Sequence, residues 1–370
     1  MTWAIWITGL PGSGKSAVAR AAAAELAAAG QCVQVLELDD LRRTLTPSPR
    51  YDAAERDAVY RALVVMAHVI TRAGYSVVID ATAHRREWRE LARVLIVDFA
   101  EVQLVCPLDV ARAREQARGR GRHPSGIYAR AGRPGATVPG VDVPYEAAAE
   151  PELTIDTTSE SVDAAGARVA ALARTFARHI PGPGVANAWT IWITGRPGSG
   201  KTTVVAGVCE RLSRRGIRVC ELAAAEFAAT VAPDGALSPV QADIVGRAVL
   251  ETARRLNALG IVVVIDGALP GRETGERARE VVARLARVEL ECPPEIARTR
   301  ERAVRWNLVP CPFPRPAADA PDLGLDYEAA TTPDLILHTD VRHVSMTADE
   351  IVCLVDRLAR SAEERTLSCA

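Results

Sequence analysis

Apolar residues along this chain fall into two patterns. Short unbroken runs, such as Ala4-Ile5-Trp6-Ile7 and Val77-Val78-Ile79, alternate with longer stretches in which apolar positions recur every three or four residues. The runs predict strands buried on both faces and the periodic stretches predict amphipathic helices. Residues 4–8 read as a first strand, 17–29 as an Ala-rich helix closed by Gly30, and 32–38 as a second strand. A loop, a long helix over 54–73, a strand at 77–79, a helix over 85–97 and a strand at 101–106 complete the series. Strands alternating with helices define an α/β fold, a mostly parallel β-sheet sandwiched by helices, with ligands expected beyond the carboxyl ends of the strands.

The whole series then occurs again. Trp3-Ala4-Ile5-Trp6-Ile7-Thr8-Gly9 returns as Trp189-Thr190-Ile191-Trp192-Ile193-Thr194-Gly195, an offset of 189 − 3 = 186. The register holds without a gap past Cys106-Pro107, which falls on Cys292-Pro293. A period this long marks a duplicated domain rather than a solenoid. The expected layout is a first domain over 1–179, a Pro/Gly-rich linker over 180–188 and a second domain over 189–370.

Composition adds exclusions. With 48% hydrophobic and 25% charged residues the chain reads as a soluble globular protein, and a formal net charge of −1 gives no reason to expect nucleic acid or an anionic membrane as partner. No run of about 18 apolar residues suggests a membrane span. The N-terminus has no basic region followed by a long apolar stretch, so a cytoplasmic location is expected. The eight cysteines show neither a CxxC pair nor metal-ligand spacing and read as free thiols.

Each repeat carries one strong chemical signature. Gly9-Leu10-Pro11-Gly12-Ser13-Gly14-Lys15-Ser16 fits G-x-x-x-x-G-K-[ST] after a strand and before a helix, and Gly195-Arg196-Pro197-Gly198-Ser199-Gly200-Lys201-Thr202 fits it equally well. In such a loop the backbone N–H groups close around phosphate, the lysine reaches the terminal phosphates and the hydroxyl ligates Mg²⁺. Both repeats are therefore expected to bind ATP. Asp80 and Asp266 end matching strands, where a carboxylate either joins Ser16 in organising Mg²⁺ or caps a helix. Between Arg112 and Arg133 six arginines and His123 cluster with Arg130, either a solvated helix face or a lid that neutralises transferring phosphate.

Beyond this loop the first repeat resembles the adenylylsulfate (APS) kinase family. The matching stretches are Leu36-Glu37-Leu38-Asp39-Asp40-Leu41-Arg42-Arg43-Thr44-Leu45, Arg122-His123-Pro124-Ser125-Gly126-Ile127-Tyr128 and Gly140-Val141-Asp142-Val143-Pro144-Tyr145-Glu146, closed by Pro151-Glu152-Leu153 and Asp156. The resemblance implies transfer of the ATP γ-phosphoryl to the 3′-hydroxyl of APS, giving PAPS and ADP. It implies Asp39 as the group that positions and deprotonates the acceptor, with Lys15 and Arg42 beside it in catalysis. It also implies acceptor binding by Arg42, Arg56 and Tyr51, and a lid holding Tyr128 and Arg130. A separate ATP sulfurylase is the implied partner. Tyr51 and Val138 stand where the family has phenylalanines that stack on the APS adenine, and Thr82-Ala83-His84-Arg85-Arg86 replaces another family segment.

The second repeat keeps Lys201, Thr202, Asp266, Arg298 and Arg300, but Asp39, Arg42 and Arg56 become Ala225, Ala228 and Ala242. It reads as an ATP-binding, catalytically degenerate copy, serving as a built-in partner in an intramolecular pseudo-dimer or within a homodimer. Two alternatives stay open for the whole: a P-loop kinase for another small hydroxyl acceptor (nucleotide, sugar or metabolite), and a non-catalytic ATP-sensing regulator.

Overall fold

A computed structural model describes residues 2–117, 126–176, 181–182, 184–267, 269, 272–305 and 332–368. The chain divides into two units, Met1–Gly182 and Pro183–Ala370. Arg118, Arg120, Arg122 and His123 of the basic segment lie outside the described residues, as do positions 306–331 of the second repeat.

In the first unit, β1 (Ala4–Thr8), β2 (Val33–Glu37), β3 (Ser76–Asp80), β4 (Phe99–Val105) and β5 (Leu153–Asp156) form one parallel sheet in the order β2-β3-β1-β4-β5. The helices are α1 (Lys15–Ala28), α2 (Leu38–Leu45), α3 (Ala53–Arg72), α4 (Arg86–Leu95), α5 (Leu108–Ala117) and α6 (Val162–Ala173). Successive strand residues face opposite sides. Ile5 and Ile7 of β1 therefore join Val18 and Ala22 of α1 and Val169 of α6 in one core. Trp6 goes to the other face, fully buried, and donates its indole N–H to the carbonyl of Ala81 at 3.0 Å. Helix α3 and α4 cover that side.

The expected helices and strands are present, with ends that match or shift by one or two residues. Helix α1 stops where Gly30 takes a left-handed φ of 72° and Gln31 N–H bonds back to Leu26 O at 2.9 Å. That glycine-dependent closure is what the sequence signals. Four elements go beyond the series read from the sequence, one of them α5 directly after β4. The expected loop after β2 is helix α2, whose Leu38, Leu41 and Leu45 are buried at helical spacing. Strand β5 adds a fifth member to the sheet, and α6 follows it.

The second unit repeats the design with β6 (Thr190–Gly195), α7 (Lys201–Arg214), β7 (Val219–Ala223), α8 (Ala224–Val231), α9 (Pro239–Ala258), β8 (Val262–Asp266), α10 (Arg272–Val281), β9 (Leu285–Glu291), α11 (Pro294–Arg305), β10 (Leu335–His338) and α12 (Val344–Ser368). Its sheet order is β7-β8-β6-β9-β10. The offset of 186 persists from the first strand to the start of α11, but β5 maps to β10 with 335 − 153 = 182. Four residues are therefore missing between α11 and β10 relative to the first unit.

A buried ion pair is present in the first core and not at the matching positions of the second. In the first unit Arg89 of α4, 1% exposed, meets Glu101 of β4 at 2.6 Å and also donates to the carbonyls of Ala83 and Glu146. The corresponding second-unit positions are Gly275 and Arg287. There the cation sits on the strand, donates to Gly275 O at 3.2 Å and lies 4.8 Å from the Trp192 ring centre. Burial pushes the Glu101 carboxyl up while the Arg89 guanidinium pulls it down. Arg89→Ala would leave this carboxylate and two carbonyls without their cation. It is expected to remove about 3–5 kcal/mol from the stability of the first unit, seen as a lowered unfolding transition when the full chain is melted in a calorimeter.

Candidate active site

Each phosphate loop closes because glycine permits two close approaches. At Gly9, φ 151°, any Cβ would come within 2.8 Å of Leu104 O on β4, and at Gly12 it would strike the carbonyl of Ala111 on α5. Gly195 and Gly198 meet Leu290 and Ala297 in the same way. Gly14 and Gly200 cap α1 and α7 in the left-handed conformation, with φ of 97° and 89° and no side-chain cap. The first-turn N–H groups are thus left for an anion, reinforced by the helix dipole. Ser13 and Ser199 are fully buried beneath the loops.

The lysines are drawn back onto their own loops. Lys15 Nζ donates to Gly9 O at 3.1 Å and Leu10 O at 3.0 Å, and Lys201 Nζ donates to Gly195 O and Arg196 O at 2.8 and 2.9 Å. Ser16 hydrogen-bonds to Asp80 at the end of β3. Thr202 Oγ1 donates to Asp266 Oδ2 at 2.7 Å at the end of β8. Burial pushes the Asp80 carboxyl up to about 6, against the pull of Lys15 and Ser16, and burial likewise raises Asp266.

Beyond the first loop lies a cavity of about 770 Å³. Its walls bring together Gly12, Gly14, Lys15, Ser16 and Asp80 from the phosphate side with Asp39, Arg42, Tyr51, Arg56 and Arg130 from the far side. The far wall depends on α2, which runs directly from β2 and puts Asp39 in its first turn and Arg42 one turn on. Arg42 and Arg130 lie 5.4 and 5.7 Å from the centre of the Tyr51 ring, cation–π distances. Arg56 donates to Thr137 O at 3.0 Å and to Thr137 Oγ1 at 2.5 Å, tying α3 to the loop that carries Val138. Burial lowers its pKa from the usual guanidinium value.

Tyr128 lies elsewhere. It is buried in the short turn Tyr128–Arg130 and donates its hydroxyl to Pro11 O at 2.8 Å, so it fastens the segment to the phosphate loop and is absent from the cavity wall. Burial pushes the phenol up to about 12, which keeps it protonated as a donor. The basic segment divides in the same manner. Arg114 is structural, bonded to Thr157 after β5, as Arg300 is to Thr339. Only Arg130 and Arg133 among its described members line the cavity. His84 packs edge-on against Trp88 and is lowered to about 4 by burial and by Arg56, so it is neutral at pH 7.

Sequence reasoning missed three carboxylates that build this wall. Glu115 of α5 accepts from the backbone N–H of Gly126 and Ile127. Asp142 accepts from Gly132 and Val138 N–H at 2.8 and 2.9 Å, shaping the loop over the cavity. Glu55 of α3 accepts from the backbone N–H of Arg50 and Tyr51. A carboxylate committed to backbone groups leaves no spacing signal; only the stretch around Asp142 stood out, through resemblance.

A parallel sheet with a phosphate loop after its central strand and an acid at the neighbouring strand tip defines each unit as a P-loop kinase domain. The profile of the adenylylsulphate kinase family matches residues 1–156 and 187–305. The chain belongs to that family, in two copies. It is 36% identical over 160 residues to a probable adenylyl-sulfate kinase of Archaeoglobus fulgidus, covering 42% of this chain and 97% of the relative. It is 37% identical over 172 residues to the bifunctional enzyme NodQ of Azospirillum brasilense, 45% of this chain and 26% of that enzyme. Among solved structures, the APS kinase CysC of Mycobacterium tuberculosis in complex with AMPPNP and APS is 30% identical, spans 47% of this chain and 98% of its own, with a TM-score of 0.41. No helix among the described residues is long and apolar enough to cross a membrane.

Asp80 offers a test of this geometry. Its folded pKa of about 6 exceeds the ordinary 3.8, so the protonated form favours folding. That contribution is fully present below about pH 4 and is lost as pH rises through about 6. Asp80→Asn is therefore expected to raise the stability of the nucleotide-free protein at pH 8 by roughly 1–3 kcal/mol, with little effect at pH 4, as read from denaturant melts at the two pH values.

Proposed function

We propose that the first domain transfers the γ-phosphoryl of ATP to the 3′-hydroxyl of APS. The observation that carries this reading is that Lys15 and the phosphate loop share one cavity with Asp39, Arg42 and Arg56. The loop N–H groups and Lys15 bind the triphosphate, and Arg42, Arg56 and Arg130 bind the anionic acceptor and the charge that develops on the phosphoryl oxygens. Asp39 accepts the proton of the acceptor hydroxyl as its oxygen bonds to the γ-phosphorus and the bond to the β,γ-bridging oxygen breaks, releasing ADP. Mg²⁺, where bound, shields the triphosphate oxygens. The Ser16 hydroxyl and Asp80 carboxylate would hold it, and the raised Asp80 pKa marks a buried acid whose desolvation Lys15 and Ser16 offset only in part. The fit makes Mg²⁺ affinity fall as pH drops through about 6.

In the second domain the same reading assigns ATP binding without transfer. Gly195, Gly198, Ser199, Gly200, Lys201 and Thr202 form the nucleotide side, whereas Ala225, Ala228 and Ala242 offer neither a base nor a cation. APS itself must come from an enzyme that joins adenylate to sulfate, a role proposed for a separate sulfurylase chain.

The test is ADP release from ATP and Mg²⁺ by the full chain, with APS beside a panel of nucleosides and sugars. APS should stimulate turnover, and Asp39→Ala should reduce it about 10²–10⁴-fold. Lys15→Ala should abolish turnover, while Lys201→Ala should leave it and remove only one equivalent of nucleotide binding. Stimulation by a sugar or nucleoside and none by APS would transfer the assignment to another hydroxyl acceptor, consistent with Val138 on the cavity wall.

A further inference from the structure

The geometry points to Glu55 as a positioning residue that sets the acceptor-binding wall through Arg42 and Tyr51; this rests on the acceptor-site reading above. Glu55 is the third residue of α3, whose N-cap Asp52 accepts from Glu55 N–H at 2.8 Å. A Glu or Gln at that position ordinarily reaches back to the N-cap N–H, completing a capping box. Glu55 overshoots instead. Its Oε2 accepts from Arg50 N–H at 2.7 Å and its Oε1 from Tyr51 N–H at 3.2 Å, two residues and one residue before the cap. The same Oε1 lies 3.6 Å from Arg42 Nη1, with the Glu55 side chain 3% exposed.

Two consequences follow for the wall. Tyr51 is held at a φ of 58°, a conformation that disfavours any side chain bearing a Cβ, and its ring is thereby placed within cation–π distance of both Arg42 and Arg130. Arg42 is attracted by charge at a distance too long for a hydrogen bond, so its buried Nη1 has no hydrogen-bond partner among the described residues. The cation is thus oriented by Glu55 without being consumed by it, and its donor is left for an anionic group of the acceptor.

The second repeat is an internal control. At the matching positions Arg42, Arg50, Tyr51 and Glu55 become Ala228, Ala236, Leu237 and Gln241. Gln241 makes the ordinary capping box, accepting from Ser238 N–H at 2.9 Å, and α9 starts at the residue equivalent to the start of α3. A neutral amide thus suffices to start this helix. The carboxylate accompanies the cation and the aromatic ring, not the fold.

Glu55→Gln in the full chain separates the two roles. APS binding by calorimetry and the KM for APS should weaken about 10- to 100-fold, with the KM for ATP and the thermal midpoint unchanged, and Glu55→Asp should recover part of the loss. Combined with Arg42→Ala, the loss should be smaller than the product of the single losses, because Glu55 acts through that arginine. Unchanged APS kinetics in Glu55→Gln, or equal losses for APS and ATP with a lowered midpoint, would overturn the inference while leaving the proposed function intact. A wild-type chain that neither binds nor phosphorylates APS would overturn both.

Discussion

The site depends on one steric constraint, the passage of bare backbone across the tips of two neighbouring elements. The phosphate loop can wrap an anion only if it runs flush against β4 and α5, with hydrogens at Gly9 and Gly12 where other residues carry carbon. Once that contact is made, Ser13 is sealed beneath the loop, α1 starts without a side-chain cap, and Lys15 is brought over the carbonyls it will leave for phosphate. The second unit meets the same constraint with Gly195 and Gly198 against β9 and α11. Its phosphate side is preserved to within a hydrogen bond even where the opposite wall has been emptied.

That asymmetry has a physical basis. The phosphate side is built from backbone and glycine, so few substitutions leave the fold intact while altering it. The acceptor side is built from side chains on α2 and α3 whose buried neighbours, Glu55 apart, are mostly apolar residues. Replacing Arg42 by alanine at the position of Ala228 leaves α8 a regular helix, with Phe227 and Val231 still buried. Binding chemistry on such a wall can be lost without loss of structure.

What the sequence revealed follows the same division. Apolar runs located the strands because both sheet faces are buried, and the glycine pattern located the phosphate loops because no other residue fits there. Helix α2 was hidden by its polar N-terminal turn, although Leu38, Leu41 and Leu45 carried the helical period. Strand β5 was too short, four residues, to stand out from its loop. Within the candidate site, cations and the acid Asp39 were visible through resemblance. Glu55 and Glu115 were invisible, and Asp142 stood out only within its stretch and not in its role, because their partners are backbone N–H groups, whose location depends on the folded chain. Tyr128 was visible as a residue but not in its place, since nothing local says that its hydroxyl reaches Pro11.

The exchanged buried cation bears on the history of the duplication. Two similar coding stretches in one gene tend to be homogenised by recombination between them. A crossover falling between the α4 position and the β4 position would join Arg89 to Arg287, or Gly275 to Glu101. The first product places two cations at the facing positions and the second leaves the carboxylate without its buried Arg89 partner, each at a cost in stability. With the charge on the helix in one repeat and on the strand in the other, neither position can be exchanged alone between the repeats without depriving a buried charge of the partner it has in its own repeat.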